Sequence, residues 1–283
     1  DTRAARAMIN GEPIKLTAHE YRVLSYLMHH QGRVVPRTEL VEHIYDQDFE
    51  VEFKSDESPL TAADKAAHNI IVQALETTPY PVLSEESATV AYSERKDWGT
   101  YWLVDPLDGT KEFIKRNGEF TVNIALIDNH TPILGVVGVP AQEIEFYGGP
   151  GLGAFRCQAG GPTTPISVCK PAQTPVRVVG SRSHASEAVS AYLERLGEHE
   201  MVPMGSSLKL CVIAEGKADI YPRLGPTSEW DTAASHAVVL GAGGQLVNCD
   251  GSPLLYNAEE NILNPWFLVY GDDSQDWTGY VAP

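Results

Sequence analysis

The chain has 283 residues, 43% hydrophobic and 21% charged, which is typical of a globular protein with a substantial buried core. Its formal charge of −17 disfavours nucleic acid as a partner, because DNA binding depends on Lys and Arg side chains that neutralise phosphates. A small anionic substrate stays compatible with this charge if bound cations reverse the local sign.

The sequence also bears on cellular location and on the thiols. No apolar run is long enough to cross a bilayer, and no signal-peptide pattern opens the chain, so we expect a cytoplasmic protein. Peripheral association at the inner face of the cell membrane is left open, as is the oligomeric state. The four cysteines are scattered without metal-ligand spacing, which predicts free, buried thiols.

Residues 1–48 differ in pattern from the rest of the chain. Thr17 and Glu20 form a capping-box pattern that predicts a helix, and a second helix is predicted from Arg37 to Tyr45. This segment, including the phrase GRVVPRTELVEHIYDQDFE, resembles the first half of a response-regulator winged-helix DNA-binding domain. Because the basic recognition helix and the wing hairpin do not follow, a DNA-binding regulator is only a distant alternative.

From about residue 49 the pattern changes to strands and helices of a different kind. The alternation from Phe49 to Lys54 predicts a strand, and a helix is predicted to start near Ala62. Asp64 in its first turn is favoured by the helix dipole alone. One apolar face is expected on this helix, formed by Ala66, Ala67, Ile70, Ile71, Ala74 and Leu75.

The stretch WLVDPLDGTKEF, residues 102–113, opens within a predicted buried strand, Tyr101 to Val104, that is expected to end before Pro106. Asp105 and Asp108 then lie where the strand opens into a turn, and Gly109 allows close approach to a ligand. Two carboxylates and the carbonyl of Leu107 suit a hard cation such as Mg²⁺. Asp-Pro and Asp-Gly pairs also form ordinary turns, so the pattern alone leaves both interpretations open.

Other elements are predicted on either side of this stretch. A short strand before Glu85 and Glu86 ends in acids, and residues 88–100 are predicted to form a surface loop. Asp231 begins an Ala-rich helix, where an acid is also favoured as a cap. Further strands are predicted at Phe120–Asp128, Pro132–Val139, Ile144–Tyr147, Gly151–Cys157 and Val176–Gly180, a helix at Ser186–Leu196, and a boundary at Gly160–Pro175.

Two motifs carry a family resemblance. WLVDPLDGT with Phe113 and, much later, WDTAASHAVVLGAGG resemble the two signatures of the inositol monophosphatase-like family of magnesium-dependent phosphatases. The stretch KEFIKRNGEFTVNIAL is most similar to the 3'(2'),5'-bisphosphate nucleotidase branch. The resemblance covers residues 49–265, approximately, and implies an α+β fold, the layered α-β-α-β-α sandwich of the inositol monophosphatase and sugar phosphatase type.

The resemblance implies a domain organisation and a set of site residues. Residues 1–48 replace the usual first helix, residues 49–170 form an α+β metal-binding half, and residues 171–283 form an α/β half. Two or three Mg²⁺ ions are implied, with the ligands Glu85, Asp105, the Leu107 carbonyl, Asp108 and Asp231. Glu85, Asp64 and Thr110 are the implied catalytic residues, the last two orienting the attacking water. The implied substrate contacts are Gly109, Thr110, His184, Ser206, Lys209, Arg223 and Asp231.

The expected function is hydrolysis of the 3'-phosphate of 3'-phosphoadenosine 5'-phosphate to AMP and phosphate by metal-activated water. The expected partner is therefore a small nucleotide bisphosphate and not a nucleic acid. An inositol monophosphatase is the nearer alternative, against which KEFIKRNGEF, Lys209 and Arg223 favour the nucleotidase. A further alternative is an inactive fusion whose N-terminal segment prevents folding.

Overall fold

The structure is a computed structural model that describes residues 7–9, 12–14, 51–53, 59–87, 90–180 and 186–282. It divides into two compact units, Asp1–Ala62 and Ala63–Pro283. In the first unit, strand β1 (Ala7–Ile9) pairs antiparallel with β2 (Glu12–Ile14), and β3 (Val51–Phe53) with β4 (Pro59–Thr61). The helices predicted around residues 17–28 and 37–45 lie outside the described residues.

The second unit contains a seven-stranded sheet in the order β11-β10-β9-β8-β7-β6-β5. Only the β5–β6 pair is parallel; the other pairs are antiparallel. Strand β7 alternates buried and half-buried residues, as expected for an antiparallel strand with one face on the core. The strands are β5 (Val82–Ser84), β6 (Thr100–Asp108), β7 (Thr121–Asp128), β8 (Thr131–Val139), β9 (Ile144–Gly149), β10 (Gly153–Gln158) and β11 (Thr164–Ile166).

A five-stranded sheet follows in the chain, in the order β13-β12-β14-β16-β15. Strands β13, β12 and β14 are parallel, whereas β14, β16 and β15 pair antiparallel. Alternate residues of this sheet enter two separate hydrophobic cores, so both of its faces are covered. Its strands are β12 (Val176–Gly180), β13 (His199–Pro203), β14 (Ile220–Arg223), β15 (Gln245–Asn248) and β16 (Phe267–Tyr270).

Helix α6 contacts strands of both sheets, and α5 packs on α6 and on the small sheet. Strand β8 and helix α6 lie very close together at Gly135. A Cβ on this residue would lie 2.0 Å from the Ala234 carbonyl oxygen, so only glycine fits there. Helix α4 packs on the small sheet. The helices are α1 (Ala62–Leu75), α2 (Tyr92–Arg95), α3 (Thr110–Lys115), α4 (Glu187–Leu196), α5 (Leu208–Ala214) and α6 (Glu229–Gly241), with 3₁₀ turns at Pro140–Gln142 and Thr278–Tyr280.

The layered α+β arrangement is confirmed, but four local predictions were wrong. Strand β6 does not end before Pro106: it continues to Asp108 because a register shift against β7 between Asp105 and Asp108 accommodates the proline. The predicted loop at residues 88–100 contains α2. The predicted apolar face of α1 is not buried, since Ile70 is 70% exposed. Of the four cysteines only Cys211 is fully buried; all four are free thiols.

The boundary predicted at residues 160–175 contains β11 (Thr164–Ile166), the last strand of the seven-stranded sheet along the chain. The passage from one sheet to the other is therefore shorter than predicted and comprises residues 167–175, because β12 begins at Val176. Both sheets belong to the same compact unit. The division into a metal-binding half and an α/β half therefore stays a prediction. Within the described ranges, every helix is too short or too polar to span a membrane.

Candidate active site

Three carboxylates meet where strand β6 ends and helix α6 begins. One oxygen atom from each of Asp105, Asp108 and Asp231 lies within 4.8 Å of the other two. The bulge in β6 presents the first two acids, and the start of α6 presents the third. Asp231 also caps its helix, because its carboxylate accepts hydrogen bonds from the Ser228 N–H at 2.9 Å and the Thr227 hydroxyl at 2.8 Å. Both sequence interpretations of Asp231, cap and ligand, are compatible with this geometry.

The electrostatics of these acids favour a bound cation. Burial raises the pKa of Asp105 well above its ordinary value, and the charges of Glu85, Asp108 and Asp231 raise it further. Burial raises the pKa of Asp231 to about 7, with a further contribution from Asp108. Among the described residues, Asp105 Oδ2 is buried without a hydrogen-bond partner. Adjacent acids in a poorly solvated site are stable when protonated or when a cation neutralises them, so this set fits a divalent metal ion.

The other predicted ligands lie next to the three acids in the chain or in the sheet. Glu85 follows β5, and its N–H donates to the Val104 carbonyl at 3.1 Å, which fixes it beside β6. The Leu107 carbonyl accepts a hydrogen bond from the Thr110 hydroxyl at 3.5 Å. Asp64 is only 2% exposed in the first turn of α1. One turn later in α1, His68 hydrogen-bonds with Ser84 at 2.9 Å, so this helix lies against the end of β5 just before Glu85.

A cavity of about 80 Å³ adjoins the acids. Five of the predicted site residues line it: Asp108, Ser206, Lys209, Arg223 and Asp231. They come from β6, the loop before α5, α5 itself, β14 and α6, elements that are far apart in the sequence. Tyr221 and Phe267 contribute apolar surface to the same cavity. Of the other predicted substrate contacts, Gly109 and Thr110 follow β6 outside the lining of this cavity, and His184 lies outside the described residues.

The cavity holds two cationic side chains beside two acids. The Lys209 ammonium donates to the Ser206 carbonyl at 3.0 Å and lies 5.9 Å from the centre of the Tyr221 ring. Burial lowers the pKa of Lys209, and the charge of Asp108 opposes this shift. The guanidinium of Arg223 donates to the Pro226 carbonyl. A phosphate group fits such a pair, because Lys and Arg both bind phosphate oxygens.

Gly109 connects β6 to α3 in a conformation that other residues rarely adopt. Its φ is +88°, in the left-handed region that favours glycine. A Cβ there would lie 3.4 Å from Ser206 Cβ and 3.3 Å from Glu112 Oε2. The close approach of Gly109 to Ser206 brings the acidic strand and the cavity wall together.

The comparison with known proteins decides the family. A sequence model of the inositol monophosphatase family matches residues 34–272. This chain belongs to the inositol monophosphatase family. Enzymes of this family use divalent metal ions, in agreement with the acidic cluster. A second model, of the C-terminal part of transcriptional regulatory proteins, matches residues 11–55, the segment with the winged-helix resemblance.

Within the inositol monophosphatase family, the curated relatives with high identity are nucleotidases. The 3'(2'),5'-bisphosphate nucleotidase CysQ of Salmonella typhimurium strain LT2 is 50% identical over 230 residues, which cover 80% of this chain and 92% of that protein. The CysQ of Escherichia coli strain K12 is 51% identical over the same length and shares.

Solved structures of the inositol monophosphatase family have the same fold. CysQ from Bacteroides thetaiotaomicron has a TM-score of 0.71 and 41% identity, covering 90% of this chain and 93% of its own. The inositol monophosphatase from Anabaena (Nostoc) sp. PCC 7120 has a TM-score of 0.64 and 27% identity, covering 78% and 88%. The predicted fold class is therefore confirmed.

The resemblance to the inositol monophosphatase family did not point to three polar residues that surround Asp108. Asp108 Oδ2 accepts hydrogen bonds from the Ser207 N–H at 2.5 Å and from the Thr121 hydroxyl at 3.3 Å. The hydroxyls of Thr121 and Ser207 lie 2.7 Å apart, and the Ser207 hydroxyl lies 2.9 Å from Asn123 Oδ1, to which it can donate. Only the register of β7 against β6, which pairs Thr121 with Asp108 and Asn123 with Asp105, could have revealed them.

Proposed function

We propose that this member of the inositol monophosphatase family hydrolyses the 3'-phosphate of 3'-phosphoadenosine 5'-phosphate to AMP and phosphate. One observation carries the proposal: a single small cavity is lined by the acids Asp108 and Asp231 and by the cations Lys209 and Arg223. The names of the CysQ relatives at 50% and 51% identity support the same activity.

The proposed metal ligands are those expected from the sequence: Glu85, Asp105, the Leu107 carbonyl, Asp108 and Asp231. We propose Mg²⁺ as the ion, because carboxylate and carbonyl oxygens are its preferred protein ligands, and two or three as the number of ions. Bound cations supply charge neutralisation at the phosphate and lower the pKa of a coordinated water. The orphaned Oδ2 of Asp105 and the raised pKa values of the acids support this assignment.

The proposed catalytic residues besides Glu85 are Asp64 and Thr110. The Thr110 hydroxyl already reaches the Leu107 carbonyl, so it lies at the proposed metal site and can accept a hydrogen bond from the attacking water. We propose that Asp64, a buried acid in the first turn of α1, receives the proton of that water. A carboxylate held away from bulk solvent is a suitable general base for this step.

The proposed substrate contacts distribute the two phosphates over the site. Gly109 and Thr110 are proposed to face the 3'-phosphate, while Lys209 and Arg223 are proposed to bind the second phosphate. Ser206 and His184 complete the proposed set, with Asp231 next to the sugar. An inositol monophosphate carries only one phosphate, so it would leave both of these cations without a phosphate to bind.

The proposed partner is a small nucleotide bisphosphate. The cytoplasmic location, with peripheral membrane association left open, stays a prediction, and so does the expectation that no nucleic acid is bound.

The test compares phosphate release from 3'-phosphoadenosine 5'-phosphate and from inositol 1-phosphate, with Mg²⁺ and with a chelator. We expect Mg²⁺-dependent turnover of the nucleotide by the wild type and its loss in Asp108→Asn. The matched control is Asp128→Asn at the other end of β7, where the carboxylate accepts a hydrogen bond from Thr100. Faster turnover of the inositol ester would favour the inositol monophosphatase alternative. A folded wild type without activity on either ester would contradict the proposal.

A further inference from the structure

The polar residues around Asp108 form a continuous chain of contacts inside the protein. Asn123, Thr121 and Ser207 are 1%, 0% and 3% exposed, respectively. The contacts run from Asn123 Oδ1 to the Ser207 hydroxyl at 2.9 Å, then to the Thr121 hydroxyl at 2.7 Å, and finally to Asp108 Oδ2 at 3.3 Å. Because the side chains of Asn123, Ser207 and Thr121 are shielded from water, each must find its partner within the protein.

Counting hydrogens gives this chain a direction. A hydroxyl has one hydrogen, and an ionised carboxylate can only accept. If Thr121 donates to Asp108, then Ser207 must donate to Thr121, and the contact between Ser207 and Asn123 needs a donor from Asn123. The chain is consistent only when the Asn123 amide is turned so that its nitrogen, and not Oδ1, faces Ser207. An amide turned by 180° keeps its shape, so the site accommodates both orientations.

The opposite direction satisfies the site less well. If Ser207 donated to Asn123 Oδ1, Thr121 would have to donate to Ser207, and Asp108 would lose the Thr121 hydrogen bond. Asn123 Nδ2 would then be a buried donor without an acceptor among the described residues. One Asn123 atom faces away from Ser207 in either orientation, so the deciding difference is the hydrogen bond from Thr121 that Asp108 keeps or loses. A hydrogen bond to an ionised carboxylate is among the stronger ones, so the direction that ends on Asp108 is favoured.

We propose that Asn123, Ser207 and Thr121 form one directed hydrogen-bond chain that ends on Asp108 and fixes its carboxylate for cation binding. Thr121 and Ser207 are positioning residues. The Thr121 hydroxyl and the Ser207 N–H hold Oδ2 and leave the other oxygen of Asp108 available to the metal, while the Ser207 hydroxyl directs the hydrogen of Thr121 towards Asp108. The inference rests on the metal site of the proposed function.

The test measures cation affinity directly, with Mn²⁺ as the probe and the free-ion EPR signal as the readout. Thr121→Val keeps the shape of the side chain and removes its hydroxyl. We expect this variant to bind Mn²⁺ about 10- to 100-fold more weakly, because loss of a residue that orients a metal ligand typically weakens metal binding by that factor. Thr121→Ser restores the hydroxyl and should restore affinity. Ser207→Ala should have a weaker effect in the same direction, because Thr121 keeps its own hydrogen.

The same strand pair provides a matched control. Thr100 donates to Asp128 at 2.6 Å across β6 and β7, at the end away from the acids. Thr100→Val therefore removes the same kind of hydrogen bond without touching the site, and we expect unchanged Mn²⁺ affinity. In the enzyme assay, Thr121→Val should raise the Mg²⁺ concentration needed for half-activation and leave the nucleotide KM at saturating Mg²⁺ unchanged.

Equal Mn²⁺ affinity in the wild type and Thr121→Val would overturn the proposal, and so would an equal loss in Thr100→Val. If Thr121→Val shows no cooperative melt, the test is made with Ser207→Ala. A Mn²⁺ affinity equal to that of the wild type in Ser207→Ala overturns the proposal too. The Mn²⁺ series does not depend on the substrate, so a failure of the nucleotidase assignment would be seen separately, as absence of nucleotide turnover by the wild type.

Discussion

A methyl group on Gly109 tests whether the approach of β6 to the cavity wall matters for activity. In Gly109→Ala the left-handed φ of +88° costs about 1–2 kcal/mol, partly offset by about 0.4–1 kcal/mol from the less flexible unfolded chain. The expected net loss of stability is about 1 kcal/mol, which corresponds to a fall in Tm of about 2–4 °C.

The effect on activity should exceed the effect on stability. The new Cβ would lie 3.3 Å from Glu112 Oε2 and 3.4 Å from Ser206 Cβ, so these two side chains must move by a few tenths of an ångström. Ser206 lines the cavity, and even a small displacement in a reactive geometry is costly, so we expect kcat/KM for 3'-phosphoadenosine 5'-phosphate to fall about tenfold.

Gly251→Ala is the matched control for Gly109→Ala. Gly251 also has a left-handed φ, of +83°, but a Cβ there meets nothing within 4 Å. Both variants should lose similar stability in a thermal melt, and only Gly109→Ala should lose activity. Wild-type kcat/KM in Gly109→Ala, or an equal loss in Gly251→Ala, would refute the reasoning.

Three other predictions concern pH, substrate and metal. His236 contacts the Tyr256 hydroxyl, and burial lowers the pKa of its imidazole to about 3. The stability that the neutral imidazole contributes is therefore complete above pH 6.5 and is lost as the pH falls towards 3. The free energy of unfolding should fall by up to about 1.4 kcal/mol for each pH unit in this range. The pKa of Glu229 is raised to about 7, which changes stability with pH in the opposite direction, so the test compares His236→Gln with the wild type. In chemical denaturation, the free energy of unfolding of His236→Gln should fall less steeply with decreasing pH than that of the wild type. An unchanged slope would contradict this prediction. Lys209→Met should raise KM for the nucleotide bisphosphate more than KM for a nucleoside monophosphate. In the control Lys217→Met, an exposed lysine paired with a glutamate is lost, and both KM values should stay unchanged. Equal changes of KM for the two substrates in Lys209→Met would show that Lys209 does not bind the second phosphate. A chelator should lower the free energy of unfolding by about 2.7 kcal/mol, compared with protein in a metal concentration of 100 times the Kd. An unchanged thermal melt in chelator would argue against a bound cation that stabilises the fold.

The residues alone indicate only part of the candidate site. Asp105 and Asp108 are three residues apart where a predicted strand opens into a turn, a pattern that suits a cation, whereas the role of Asp231 as a further ligand is implied only by the family resemblance. The Pro106 prediction failed because a proline usually ends a strand, whereas here a register shift against β7 lets the strand continue. Such a shift depends on the partner strand and is not a property of the local sequence.

Long-range packing accounts for the other differences. Ser207 reaches Asp108 only because the start of α5 packs against the end of β6, and no spacing rule connects residues 99 positions apart in the chain. On α1 the apolar side chains have a helical period, but Asp64 and not Ile70 is buried, so the period alone did not identify the packed face. Periodicity predicted that a helix forms there, and tertiary contacts decided its orientation.

The product of the reaction tests the central claim most directly. The protein would be incubated with 3'-phosphoadenosine 5'-phosphate and Mg²⁺, and the nucleotides separated by chromatography. The account predicts AMP and one equivalent of phosphate, with no reaction in chelator. Adenosine 3'-phosphate as the product, or unchanged nucleotide alongside rapid hydrolysis of inositol 1-phosphate, would contradict it.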